Sequence, residues 1–439
     1  MVDPVVLRPR AFADHLRSLG RSRAYAVTDP QSRTITVSDP ALAGLGDFLR
    51  TSPDFHGHEG VFLGVGRESG ALFGAFVHDT HRGQAQGGLR FWPYPTLAGF
   101  LSDGLRLAQG MSRKNALAGI WWGGGKGLIA RDPDAPFRDP AYRRTIYREY
   151  ASFCTSLGGV YLTAEDAGTG PADMAEVFTR TRFVTCIPAA VGGSGNPSPA
   201  TAKGVVCAME GALDHLGLGT LAGKRIVLQG TGNVGAAMID ELLARDVASV
   251  LGSDISEERL AGLRDRYAGA SVELRLSERG DDSILSEPCD VLAPNALGGI
   301  LNPETIPTIA AKVICGAANN QLLDEERDAD ALRNRGIVYV PDFLANRMGI
   351  VSCANEQYGY VDDDPAIQRH FGREWDNSVF KVTQQTLRLA AAEGITTAAA
   401  ASRIADELAS HEHPIWGHRG AAIIRTLVDS KWHEGESSP

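Results

Sequence analysis

The run RIVLQ (225–229), followed by GTGNVG (230–235) and the helical AAMIDELLARD, constrains this chain more than any other feature. It is a G-x-G-x-x-G turn between an apolar strand-like stretch and an amphipathic helix, the context in which that motif cradles a dinucleotide. Gly230 permits a tight turn, Gly232 lets the backbone approach a pyrophosphate, and Gly235 lets helix pack closely on sheet. Thr231, Asn233 and Val234 complete the loop and lead into a helix N-terminus whose unpaired N–H groups suit an anion. A glycine-rich turn is by itself also an ordinary connection. Asp254 takes the reading further, because it ends the next strand-like run about twenty residues on, where a carboxylate accepts hydrogen bonds from ribose hydroxyls. Its charge opposes a 2′-phosphate, and the following Ile255, Ser256, Glu257 and Glu258 offer no immediate cation, so NAD is expected rather than NADP.

The runs VASVLGSD (247–254), CDVLAP (289–294), KVICGA (312–317) and GIVYVPD (336–342) continue the pattern, separated by helical segments. They predict a parallel, doubly wound sheet of the Rossmann type. Upstream, ALFGAFVHD (71–79) reads as a buried strand and 97–119 contains an amphipathic helix, so the first part is a separate α/β domain. With 439 residues, two cores are expected, and the Gly, Ser and Pro of GGSGNPSPA (192–200) mark the crossing. The fold class is α/β. The expected division is 1–192, substrate binding and oligomerisation; 193–350, the dinucleotide-binding domain; and 351–439, a helical segment packing back towards the first domain. In the last, TTAAAASRIADELA (396–409) favours helix and the tail HEGESSP is expected to fray.

The net charge of −10 is spread over mixed acids and bases with no long basic run, so nucleic acid is not an expected partner. The first residues carry charges where a signal peptide needs an apolar stretch, and no apolar run has membrane-spanning length, so a cytoplasmic location without membrane attachment is expected. Cys154, Cys186, Cys207, Cys289, Cys315 and Cys353 form no C-x-x-C pair and read as reduced, mostly buried thiols. HEHPIWGHRG (411–420) gathers three histidines, but a zinc site normally also takes cysteine or carboxylate ligands at tighter spacing. No metal is expected there, and the segment reads as an extra turn after the last helix.

Three segments of the first domain set charged groups beside glycines: QGGLRFWPY (86–94), MSRKNALAGIWWGGGKGLI (111–129) and YLTAEDAGTG (161–170). Lys126 follows three glycines, so its ammonium can approach a small ligand and lie partly out of water, which lowers its pKa. A lysine brought to about 7–8 serves as a general base near neutral pH. Lys114, fully charged, suits an α-carboxylate, and Asp166 can shuttle a proton to and from a substrate nitrogen. Taken singly, a lysine on a helix is ordinarily solvated and an aspartate beside glycine ordinarily forms a turn.

Taken in order, K-N-A-x-A-G, G-G-G-K, T-A-E-D-x-G-T, S-G-N-P-S-P-x-T-A, G-x-G-N-V and G-A-A-N-N-Q-L resemble the glutamate/leucine/phenylalanine/valine dehydrogenase family across roughly residues 75–360. The resemblance implies NAD-dependent, reversible oxidative deamination of an L-amino acid to its 2-oxo acid and ammonia. It gives Lys126 and Asp166 the catalytic roles, Lys114 the substrate carboxylate, Gly87 and Gly88 a close backbone approach to substrate, and Thr201 and Asn319 places beside the nicotinamide. It implies a homo-oligomer assembled through the first domain and closure of a cleft between domains about residues 192–200.

Family members acting on glutamate carry a lysine directly before the Gly-Gly pair, and here that position is Gln86. A neutral amide cannot neutralise a buried carboxylate, so an apolar, branched-chain or aromatic substrate is expected. Ala164, Ile350 and Cys353 match pocket-lining positions of the family and leave the pocket mainly apolar. Against this, Arg347 replaces a small residue and, turned inward, would serve an acidic or unusual substrate. Trp121 and Trp122 either wall the cleft or belong to the core and a subunit contact. The alternatives are glutamate dehydrogenase and a non-catalytic NAD-binding regulator, which the complete set Lys114, Lys126 and Asp166 argues against.

Overall fold

The computed structural model describes residues 4–354, 356 and 359–435. Its first sheet has seven strands: β1 (Arg23–Thr28), β2 (Ile35–Val37), β3 (Gly60–Val65), β4 (Leu72–Asp79), β5 (Ala85–Trp92), β6 (Gly123–Ala130) and β7 (Tyr161–Glu165). Their order is β2-β1-β3-β4-β6-β5-β7. β5 runs parallel to both β6 and β7, and the remaining pairings are antiparallel.

Strand alternation divides β4 between two cores. Leu72 and Phe76 join Phe100, Leu101 and Leu105 of the helix Leu97–Leu117 on one face. Phe73, Ala75 and Val77 join Tyr147, Tyr150 and Phe153 of the helix Pro140–Ser156 on the other. The glycines of β6 let these layers close on the sheet. A Cβ at Gly124 would fall 2.0 Å from Ser112 Oγ of the long helix, and one at Gly127 2.1 Å from the Tyr150 hydroxyl.

The second sheet is parallel throughout and ordered β10-β9-β8-β11-β12-β13. Its strands are β8 (Arg225–Gln229), β9 (Ser249–Asp254), β10 (Val272–Leu276), β11 (Val291–Pro294), β12 (Val313–Ile314) and β13 (Val338–Tyr339). The chain steps outward from β8 to β10, then returns to β11 on the other side, which opens a crevice at the carboxyl end of β8. The sequence reading did not anticipate β10. Its VELRL alternates apolar and charged residues, a composition an edge strand tolerates because one of its sides meets water.

Val379, Val382 and Leu387 of the helix Val379–Glu393 and Ala405 of the helix Thr397–Ala409 complete the core around the second sheet. The extra turn expected after the last helix is instead followed by another helix, Arg419–Asp429. Its Ile424 and Leu427, one turn apart, join Trp432 in the core of the first sheet, and that burial holds the segment. Of the tail expected to fray, His433 is buried with its ring edge-on to Tyr25, and residues 436–439 lie outside the described ones. All six cysteines are free thiols, with Cys289 alone partly exposed. Among the described residues no helix is long and apolar enough to cross a membrane.

Candidate active site

A cavity of about 580 Å³ lies between the two sheets. On β5 the period of two turns Gln86, Gly88 and Arg90 to it; on β6 it presents Lys126, and on and just beyond β7 Ala164 and Asp166. Gly87, between them, does not line the cavity: its carbonyl accepts the Tyr161 hydroxyl at 2.7 Å. Its expected approach to substrate is therefore not seen, because alternation turns it away. At Gly88 a Cβ would lie 2.6 Å from the Glu165 carbonyl oxygen and 2.7 Å from Asp166 Cβ, so only glycine lets the β7 end close on β5.

Lys126 is 4 % exposed, and its Nζ lies 2.5 Å from Asp166 Oδ2. The same oxygen accepts Arg90 Nε at 3.3 Å, and Arg90 Nη1 donates to both oxygens of Asp103, which also accepts the Tyr94 hydroxyl at 2.7 Å. Burial lowers the Lys126 ammonium below the ordinary lysine range; Asp166 opposes that and Arg90 reinforces it. Burial would raise Asp166, but Lys126 and Arg90 overcome it and hold the carboxylate well below its usual range. Beside it, burial, with Asp166 and Asp173 adding, pushes Glu165 up to about 7. A buried amine and carboxylate in such contact titrate as one unit and can pass a proton between them.

Lys114 reaches the cavity from the last turn of the long helix, and its Nζ donates to Asn319 Oδ1 at 3.3 Å. Asn346 Nδ2 donates to the same oxygen at 2.9 Å, so one amide links the helix of the first sheet to the second. Burial lowers the Lys114 ammonium, while Asp342 holds it up. Thr201, Val234, Ile350 and Cys353 line the cavity as well.

At the crevice of the second sheet Gly230 has φ +97° and packs against Ala296, while a Cβ at Gly235 would fall 2.2 Å from the Gly230 carbonyl oxygen. Above Gly232, at the start of the helix Asn233–Leu243, a Cβ would meet nothing within 4 Å. That open backbone at a helix N-terminus, beside a strained turn and a packed one, fits a dinucleotide pyrophosphate. Asp254 ends β9 and accepts the Thr231 N–H at 3.2 Å and the Ser256 N–H at 3.0 Å. It also pairs with Arg259 Nη1 at 3.2 Å. The sequence reading stopped at Glu258, one residue short of this cation, because the helical turn that carries Arg259 back over Asp254 is not visible in a linear string. Ile255 is half exposed at the same edge.

Arg347 does not enter the cavity. It is fully buried and donates to the carbonyl oxygens of Leu117 and Asn377. The suggestion that it serves an acidic substrate is therefore not met: the unpaired carbonyl at the end of the long helix draws the guanidinium the other way. Trp122 packs with Leu162, Ala164, Cys186, Ile350 and Cys353 as an apolar wall behind the cavity, whereas Trp121 is 41 % exposed with Arg82 over its ring. Of the three C-terminal histidines, His418 meets Glu59 at 2.9 Å and stacks on His81, whose Nδ1 is held by Asp79. Those partners lie just outside strands β3 and β4 of the first sheet, more than 300 residues away in the chain.

Several residues escaped the sequence reading. Arg90 was reachable, since it stands four residues after Gln86 on a strand. Asp103 lies on the long helix and Asp342 opens the short helix that Asn346 caps, and nothing local in the sequence points either carboxylate or that amide towards the site. Glu356 is also hidden: its buried carboxylate accepts the Cys186 and Ile187 N–H groups at 2.7 and 2.8 Å and the Ser194 hydroxyl at 2.8 Å, clamping the segment that crosses between the sheets.

Residues 67–183 match the family model described as Glu/Leu/Phe/Val dehydrogenase, dimerisation domain, and residues 192–407 the model described as glutamate/leucine/phenylalanine/valine dehydrogenase. The leucine dehydrogenase of Geobacillus stearothermophilus is 38% identical over 351 residues, covering 80% of this chain and 90% of its own. The valine dehydrogenase of Streptomyces coelicolor is 37% identical over 362 residues, 82% of this chain and 94% of its own. Among solved structures, the L-tryptophan dehydrogenase of Nostoc punctiforme matches with a TM-score of 0.65 and 31% identity, covering 80% of this chain and 96% of that one.

Proposed function

This chain belongs to the glutamate/leucine/phenylalanine/valine dehydrogenase family, and from that premise we propose how its cavity carries out the oxidative deamination of an apolar L-amino acid with NAD. One observation carries the reading: a buried lysine and aspartate in contact, facing a second lysine across a cavity that reaches the dinucleotide crevice. Gly230, Gly232 and Asp254 hold the cofactor, with Thr201 and Asn319 towards its nicotinamide end. NAD, when bound, accepts the hydride that leaves the α-carbon.

Lys114 holds the substrate's α-carboxylate by charge. Asp166 takes a proton from the substrate's ammonium group, freeing the nitrogen lone pair. Once the α-carbon is at the imine level, neutral Lys126 removes a proton from a water as its oxygen bonds to that carbon. Asp166 returns its proton to the nitrogen, and its freed carboxylate takes the carbinol hydroxyl proton as the carbonyl forms and the carbon–nitrogen bond breaks. Ammonia leaves the 2-oxo acid, and the protons held by Lys126 and Asp166 pass to ammonia and solvent. Burial favours the neutral form of Lys126 that this step requires. With Lys114 taken by the α-carboxylate, a side-chain carboxylate finds no free cation among the described residues of the cavity: Arg90 pairs with Asp103 and Asp166, Arg106 with Asp103, and Arg113 with Asp406. Glutamate is thereby disfavoured.

The first domain is the one matched by the dimerisation model, and we read the enzyme as a homo-oligomer in which closure about residues 192–200 brings the two halves together. The test is a panel of leucine, valine, phenylalanine, tryptophan and glutamate with NAD, followed by NADH absorbance. Turnover of the apolar members and its loss in Lys126→Ala, with NAD binding retained, is expected. Undiminished turnover in that variant would overturn the role of Lys126.

A further inference from the structure

Gln86 is fully buried, and neither its amide nitrogen nor its amide oxygen has a hydrogen-bond partner. Asn346 and Gln321, which line the same cavity, each have the amide nitrogen bonded to a backbone carbonyl. At Gln86 both ends are open. Its strand places it in register with Gly124 on one side and Leu162 on the other, so neither residue directly beside it in the sheet offers a polar side-chain atom. Ala164, Cys186, Ile350 and Cys353 surround the same end of the cavity with apolar surface. Glu165 Oε2, Gln321 Oε1 and Asn346 Oδ1 at this cavity also lack partners, but among the described residues lining it Gln86 alone has both polar side-chain atoms buried and open. A buried amide left wholly unmatched is costly, and the partner it lacks is what a ligand can bring.

We infer that Gln86 reads a neutral hydrogen-bonding group on an otherwise apolar substrate side chain: an indole N–H, a hydroxyl or an amide. The inference rests on the amino-acid dehydrogenase reading above and narrows its substrate class. The group is neutral because, among the described residues, the cations bordering the cavity are paired with carboxylates except Lys114, which the α-carboxylate takes. A site built to hydrogen-bond a substrate group discriminates strongly against an analogue lacking it, whereas an apolar pocket discriminates weakly against an added hydroxyl.

The test compares the full-length enzyme on three matched pairs with NAD: tyrosine with phenylalanine, tryptophan with 1-methyltryptophan, and 6-hydroxynorleucine with norleucine. In at least one pair the hydrogen-bonding member is expected to have a kcat/KM about 10-fold or more above its partner. Gln86→Leu and Gln86→Met should reduce that ratio to one or invert it. A wild-type enzyme that handles the apolar member equally well or better in all three pairs overturns the inference without any variant, and so does a ratio unchanged in both variants. Absence of turnover with every amino acid overturns instead the dehydrogenase reading, and the inference with it.

Discussion

The guanidinium of Arg347 donates to the carbonyl oxygen of Leu117, the last residue of the long helix that carries Lys114. Its other nitrogen donates to the carbonyl of Asn377, so one buried cation ties the first sheet's helix to the second half of the chain. Burial pulls this guanidinium down to about 9, with no carboxylate to hold it up.

Removing it leaves two carbonyls without partners. Arg347→Met is therefore expected to lose about 1–3 kcal/mol of stability, read as a lower denaturant midpoint. The ranking of substrates should not change, because the side chain does not line the cavity. A gain of activity on apolar amino acids at the expense of acidic ones would show that Arg347 touches substrate after all.

The pH profile reports the Lys126 unit. Since burial lowers the ammonium from the ordinary lysine value of 10.5, the rising limb of kcat/KM for deamination is expected below that pH. Asp166 raises Lys126, so Asp166→Asn should move the limb to lower pH while cutting kcat by about 10²–10⁴. Arg90 acts in the opposite sense on the lysine, and Arg90→Gln should move the limb to higher pH. A merely structural role for Arg90 would lower the rate and leave the limb in place.

Asp254 and Arg259 lie 3.2 Å apart, and on the proposed NAD reading this pair is expected to govern cofactor choice. Asp254→Ser removes the charge that opposes a 2′-phosphate and frees the guanidinium to meet one. The ratio of kcat/KM for NAD over NADP should fall about 10-fold or more, the scale of one lost charged hydrogen bond. Arg259→Ser should move the ratio the other way. Equal ratios in wild type and both variants would remove this pair from cofactor selection.

Much of the arrangement was legible in the string because it rests on local necessity. Gly230, Gly232 and Gly235 are required by a turn, an open backbone and a close packing, three demands written within six residues. Lys126 follows glycines whose positions in β6 leave no room for a Cβ without a shift of neighbouring atoms, and Gln86 and Gly88 share a face by the period of a strand, which Arg90 continues although it was passed over. The partners were not legible. Asp103 meets Arg90 from a helix, Glu356 grips backbone N–H groups some 170 residues earlier, and Arg259 reaches Asp254 only once a helix turns between them.

Order and spacing within the sequence determined the two α/β domains and the dinucleotide turn, since these follow from periodicity and from what a backbone without a Cβ permits; the groups facing the cavity were named through the ordered motifs that resemble the family. Folding in three dimensions decided which way Arg347 points, what neutralises each charge, and that both ends of the Gln86 amide are left open. A side chain's direction and its hydrogen-bond partners depend on surfaces that distant segments bring against it, and no stretch of sequence holds both members of such a contact.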